Sequence, residues 1–155
     1  MVQQLKFARM ETSFKGLMNR AIRHFNRYVG EGADTYRWIF IESPEYVARS
    51  LEILADDLPE DDLADVVPRM PYLVVLFRAV DEDKHMPVEA ALAFLSIINR
   101  SGMITILCQC SDRQQLAPSF DLDPAYWSPL LFMCGGVPDL DAEFEGDTTD
   151  QCSFF

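Results

Sequence analysis

The sequence predicts a small three-layer α/β domain of three or four mainly parallel strands, and three observations carry that expectation. Tyr72-Leu73-Val74-Val75-Leu76-Phe77 and Met103-Ile104-Thr105-Ile106-Leu107-Cys108 are uninterrupted apolar runs rich in β-branched and aromatic residues. Neither shows polar alternation, which suits strands covered on both faces. Between them Pro87 is placed to occupy a first helical position, Val88 to Ile98 supply apolar residues around most of a cylinder, and Gly102 is available to end the helix. Two buried strands joined by a buried helix imply a right-handed crossover and a parallel pair. An α+β arrangement with one antiparallel edge is the structural alternative.

Taken in order, the first element is a helix. Phe14, Leu17, Met18, Ala21, Ile22, Phe25, Tyr28 and Val29 recur at spacings of three and four, Thr12 or Ser13 can cap the start, and Gly30 can close the end. Its other face carries Lys15, Asn19, Arg20, Arg23 and Arg27. The pattern predicts a surface helix packed on the core. A basic amphipathic helix also suits an anionic membrane, a partner's groove or an organelle-targeting segment.

After Gly30-Glu31-Gly32, the run Tyr36 to Ile41 has strand composition. Ser43-Pro44-Glu45 then starts a helix with a hydroxyl cap, proline in the first turn and an acid near the positive end of the dipole. Tyr46, Val47, Leu51, Leu54 and Leu58 form its expected buried stripe. Pro59 ends it or begins the next short helical turn, and Pro68 and Pro71 bracket the approach to the central strand. Ser111 to Ser128 reads as a long loop with Pro118, Pro124, an Asp121-Leu122-Asp123 turn and the pair Tyr126-Trp127. Leu130 to Cys134 is a candidate last strand, stopped by Gly135-Gly136 and Pro138. Residues 1–138 are expected to form one domain and 139–155 an acidic, partly disordered tail.

At 155 residues and 49% hydrophobic content, one core suffices without disulfides, and no cofactor is called for. Four cysteines and a first segment broken by Lys6, Arg9 and Glu11 point to free thiols in a reducing compartment, with no secretory leader. No apolar stretch approaches the ~20 residues of a membrane span. A cytoplasmic location follows as the expectation.

The net charge of −12 is unevenly placed. Residues 1–30 carry six basic side chains against Glu11 alone, a net of +5, and the other 125 residues carry seven basic and 24 acidic side chains, a net of −17. Such a body repels phosphates, so direct nucleic-acid binding is not expected. Asp56, Asp57, Glu60, Asp61, Asp62 and Asp65 lie within ten residues, and with Tyr126 and Trp127 they form the candidate partner-binding surface. A calcium loop is disfavoured there, because prolines and leucines interrupt the acids and no glycine supplies the turn.

Catalytic signatures are sparse. No nucleophile elbow, phosphate loop or dinucleotide glycine pattern is present. His24 borders the first helix, and His85 precedes the crossover helix, where it could pair with a cysteine or carboxylate. Cys108 and Cys110 face the same side if the strand continues, at a spacing unlike zinc or thioredoxin-type motifs. The carboxyl ends of the predicted strands offer Glu42, Asp81, Asp83 and Asp112, a set of hard oxygen ligands suited to Mg²⁺. Cys152-Ser153-Phe154-Phe155 touches two short motif classes, a prenylation box and a C-terminal strand-addition ligand. The reading that follows is a non-enzymatic binding or inhibitor protein that engages a basic partner, nucleic-acid-binding proteins among them, through its acidic surface. The alternative is a small Mg²⁺-dependent hydrolase or nuclease. Oligomeric state is not legible.

Overall fold

The structure, a computed structural model, describes residues 15–57, 71–80, 87–111, 114–136 and 153. Its centre is a four-stranded sheet built from β1 (Tyr36–Ile41), β2 (Tyr72–Ala79), β3 (Ile104–Gln109) and β4 (Trp127–Gly136), in the spatial order β1-β2-β4-β3. Every pairing is antiparallel: Ile39 faces Val75, Val75 faces Phe132, and Phe132 faces Cys108.

This corrects the expectation of a mainly parallel sheet. β2 and β3 do run in the same direction, as a strand-helix-strand unit requires, but β4 lies between them and pairs antiparallel with both. The single antiparallel edge of the alternative is also too little, since no parallel pair remains. The apolar runs misled because a central antiparallel strand buried on both faces reads like a parallel one. β2 is buried from Tyr72 to Arg78.

β4 is longer than its sequence suggested. Pro129 cannot donate to a ladder, and in a central strand it is tolerated at a bulge. The register slips there, with Leu76 facing Leu131 and Phe77 facing Pro129. Gly135 and Gly136 do not stop the strand: Gly135 faces Tyr72 and Thr105, and Gly136 faces Ile104.

Helices α1 (Lys15–Val29) and α3 (Val88–Arg100) share one face of the sheet. Met18, Ala21 and Phe25 of α1 pack with Ala90, Ala91, Phe94, Ile97 and Ile98 of α3 over Tyr72, Val74, Leu76, Leu131 and Met133. Arg20, Arg23 and Arg27 are left exposed. Both helices end on a glycine in the left-handed region that L side chains rarely adopt, Gly30 at φ 72° and Gly102 at φ 87°. Pro87 sits one residue ahead of α3 rather than inside it.

The opposite face is covered by the shorter α2 (Pro44–Ile53), a 3-10 turn at Ala55–Asp57 and another at Ala117–Phe120. Val47, Leu51 and Leu54 are buried as a stripe, whereas Tyr46 is 46% exposed and does not belong to it. Ser43 precedes α2, but its side chain makes no capping hydrogen bond. Leu58, the tail beyond Gly136 apart from Ser153, and the first residues of the predicted N-terminal helix lie outside the described residues. No helix among the described residues is long and apolar enough to cross a membrane.

Candidate functional site

Among the described residues, one hollow lies at each edge strand of the sheet. The first lies at the carboxyl end of β1 and has a volume of about 410 Å³. Ile39, Phe40 and Ile41 form its floor, Glu42, Ser43 and Tyr46 enter from the start of α2, and Ser119, Phe120 and Asp121 close it from the second 3-10 turn. Asp121 is the one non-glycine residue at positive φ among the described residues, at 59°. Aspartate tolerates that left-handed position better than most residues. Phe120 leans on Phe77 with ring centroids 6.4 Å apart, which fixes the turn against the core. Tyr46 carries the guanidinium of Arg49 over its ring, 5.6 Å from the centroid.

The second hollow, about 290 Å³, opens between the first half of α3 and β3. Val88, Ala91 and Leu92 wall one side, and Leu107, Cys108 and Leu131 the other. Gln109 is the single polar side chain of its lining among the described residues, and its amide can both donate and accept. Val88, Leu92 and Leu107 are 54%, 54% and 43% exposed, which marks an apolar lip at the sheet edge.

Beneath the α2 face sit three free thiols, Cys108, Cys110 and Cys134. Cys108 and Cys110 share that face. Cys134 stands opposite Ile106 and Cys108 opposite Phe132, so Cys108 and Cys134 are diagonal neighbours at roughly 7–8 Å, too far for a disulfide. Burial pushes all three thiols up from their ordinary ionisation range, and the nearby Asp57 charge adds to this for Cys108 and Cys110. They are therefore protonated, poor nucleophiles. Asp57 ties the turn before it to the end of β3: Ser111 donates its N–H to Oδ2 at 3.1 Å and its hydroxyl to Oδ1 at 2.5 Å.

On the other face, Trp38 stacks on Phe94 at 4.1 Å with the rings 6° from parallel, and meets Phe25 edge-on at 5.0 Å. Its Nε1 is buried without an acceptor among the described residues. Tyr72 shares a 3.4 Å hydrogen bond with Thr105; burial raises its phenol above the ordinary range, and that bond offsets part of the rise.

Asp56 and Asp57 lie in the 3-10 turn after α2, Tyr126 is 65% exposed just before β4, and Trp127 is half-buried as its first residue. Glu60, Asp61, Asp62 and Asp65 fall outside the described residues, as do Asp81, Asp83, Asp112 and His85. Glu42 of the proposed Mg²⁺ set is described, exposed at the end of β1. No group of three or more His, Cys, Asp or Glu side chains able to hold a metal occurs among the described residues. His24 is half-buried on α1. Phe40, Ser119, Phe120 and Asp121 were not legible as site residues, because a strand end and a turn about 80 residues later meet only in the folded chain.

No protein-family model matches the sequence, and no curated protein does. Solved structures do match in shape. The chain is similar to an FMN-dependent nitroreductase from Clostridium difficile R20291, with a TM-score of 0.67 and 11% identity over 97% of this chain and 91% of that one. It is also similar to a nitroreductase family protein from Clostridium novyi NT, with a TM-score of 0.65 and 14% identity over 87% and 79% of the two chains. An iodotyrosine deiodinase bound to FMN and 3-iodo-L-tyrosine superposes with a TM-score of 0.60 and 13% identity over 92% and 88%. At these identities the likeness establishes the fold: nitroreductase-like, with a small antiparallel four-stranded sheet and three helices. It also overturns the expectation of a non-enzymatic inhibitor or interaction protein and that of a Mg²⁺-dependent hydrolase, since these neighbours are named as nitroreductases and a deiodinase. Surface charge misled there, because it speaks to the sign of an encounter and not to fold or reaction.

Proposed function

We propose that this chain is an oxidoreductase of the nitroreductase-fold type. The observation that supports the reading is the whole-chain likeness in shape to proteins named for that chemistry, covering nearly all of both chains. A further neighbour from Clostridium acetobutylicum, provisionally named an NADH oxidase, points the same way over 94% of this chain.

FMN, named with two of these neighbours, sets a test of this chain's own residues. The cofactor has a flat ring system and a phosphate of about −1.5 to −2 charge, which calls for Arg, Lys or free N–H groups. The β3-edge cleft suits the ring: it is apolar, with one amide at its lip. Neither hollow suits the phosphate. No Lys or Arg lines either among the described residues, and the β1 hollow presents Glu42 and Asp121 instead. FMN as a whole does not fit the described residues. Lys6, Arg9, Arg69, Lys84 and Arg113 lie outside those residues.

The cytoplasm is the proposed setting, supported by three cysteines that remain free thiols. The test is consumption of NADH by the purified chain without oxygen, with a nitroaromatic acceptor and either FMN or riboflavin supplied, against a protein-free control. The expected result is acceptor-dependent NADH loss above that control. A folded chain that gives none with either flavin contradicts the reading.

A further inference from the structure

We propose that the hollow at the carboxyl end of β1 is a binding site for a small organic cation with an apolar body, an arylalkylamine in the simplest case. The inference does not rest on the oxidoreductase reading. At about 410 Å³ the hollow falls within the range of small-molecule sites. Its chemistry is one-sided. Tyr46 and Phe120 offer aromatic surface, Glu42 and Asp121 bring two carboxylates, and no cationic side chain is part of its lining among the described residues.

The balance of charge around the hollow favours an ammonium group over any anion. Tyr46 carries the Arg49 guanidinium over its ring, so this aromatic side chain at the lip already holds one cation by the same kind of contact. The positive end of the α2 dipole is worth about half a charge and is offset by Glu45 in the first turn, leaving the two carboxylates dominant. Both carboxylates are exposed, so each acts through water and each contributes modestly. Selectivity comes from their shared sign beside an apolar wall.

The test is a titration of the full chain, followed by amide NMR shifts, with three probes of one shape: phenethylamine, 2-phenylethanol and phenylacetate. The expected order is amine tightest, alcohol about tenfold weaker, and phenylacetate without measurable binding, with shifts gathered at Phe40–Tyr46 and Ser119–Asp121. Glu42→Gln with Asp121→Asn is expected to weaken the amine about tenfold while leaving the alcohol unchanged. Both positions are exposed and asparagine tolerates the left-handed backbone at 121, so the variant keeps its fold, which circular dichroism verifies. Phenylacetate bound as tightly as the amine, shifts centred elsewhere, unchanged amine affinity in the variant, or no binding by any of the three would each overturn the proposal.

Discussion

The two edges of the sheet are built from similar apolar strands and end in opposite chemistry. Among the described residues, a short helix and a 3-10 turn beside β1 leave a hollow with aromatic walls and two carboxylates, and a long helix beside β3 leaves a cleft with one amide and no charge. The difference comes from what covers each edge and not from the strands. α3 is anchored along its length by α1 and the aromatic stack of Phe25, Trp38 and Phe94, so it presents an unbroken apolar side to β3. The start of α2 and the Ala117–Phe120 turn reach β1 only at their ends, where polar capping and turn residues collect. Helix and turn ends therefore supply polar groups to a hollow, and helix sides supply apolar ones.

The largest expected effect tests whether the two edges hang on one core. Phe132, fully buried in β4, faces both Val75 and Cys108. Phe132→Ala is expected to cost about 3–5 kcal/mol in denaturant unfolding and to release both edges together. Edges that unfold in separate transitions would break the comparison at its root.

Next comes pH. Cys110 and Cys134 are raised by burial, so the folded chain holds their protons where an unfolded thiol, ionising near ~8.5, has released them. The stabilisation is complete below that pH and is lost as pH rises above it, by up to about 1.4 kcal/mol per pH unit for each thiol. Cys134→Ala is expected to remove one thiol's share of the slope, read from unfolding curves between pH 8 and 10.

Smaller again is the link between Asp57 and Ser111. Asp57→Ala is expected to cost about 1–2 kcal/mol by urea unfolding and to speed amide exchange at the end of β3 while β1 amides stay as they were. The smallest effect on stability is expected from Leu107→Glu at the exposed lip of the cleft, within about 0.5 kcal/mol. The same change should abolish binding of flat apolar probes there and leave amine binding at β1 intact.

Element positions were legible because they depend on local pattern. Tyr36–Ile41 is the predicted strand, and the helix over Lys15–Val29 follows its apolar spacing. Strand order was not legible, because the choice between β3 and β4 as β2's neighbour is made between two similarly apolar segments far apart in the chain. Pro129 argued against a long central strand, and only the bulge beside it shows how the strand accommodates it. The acidic run at 56–65 drew attention through density alone, whereas Glu42 and Asp121 are single acids made into a pair by tertiary contact with one hollow.

The most direct measurement of this two-edge account is a pair of amide NMR titrations on one sample of the full chain, with phenethylamine and with riboflavin, the flavin that lacks a phosphate. The account predicts that phenethylamine moves Ile41, Tyr46 and Asp121 while riboflavin moves Leu92, Leu107 and Gln109. Both probes shifting the same set, or riboflavin shifting the acidic edge and the amine the apolar one, would contradict it.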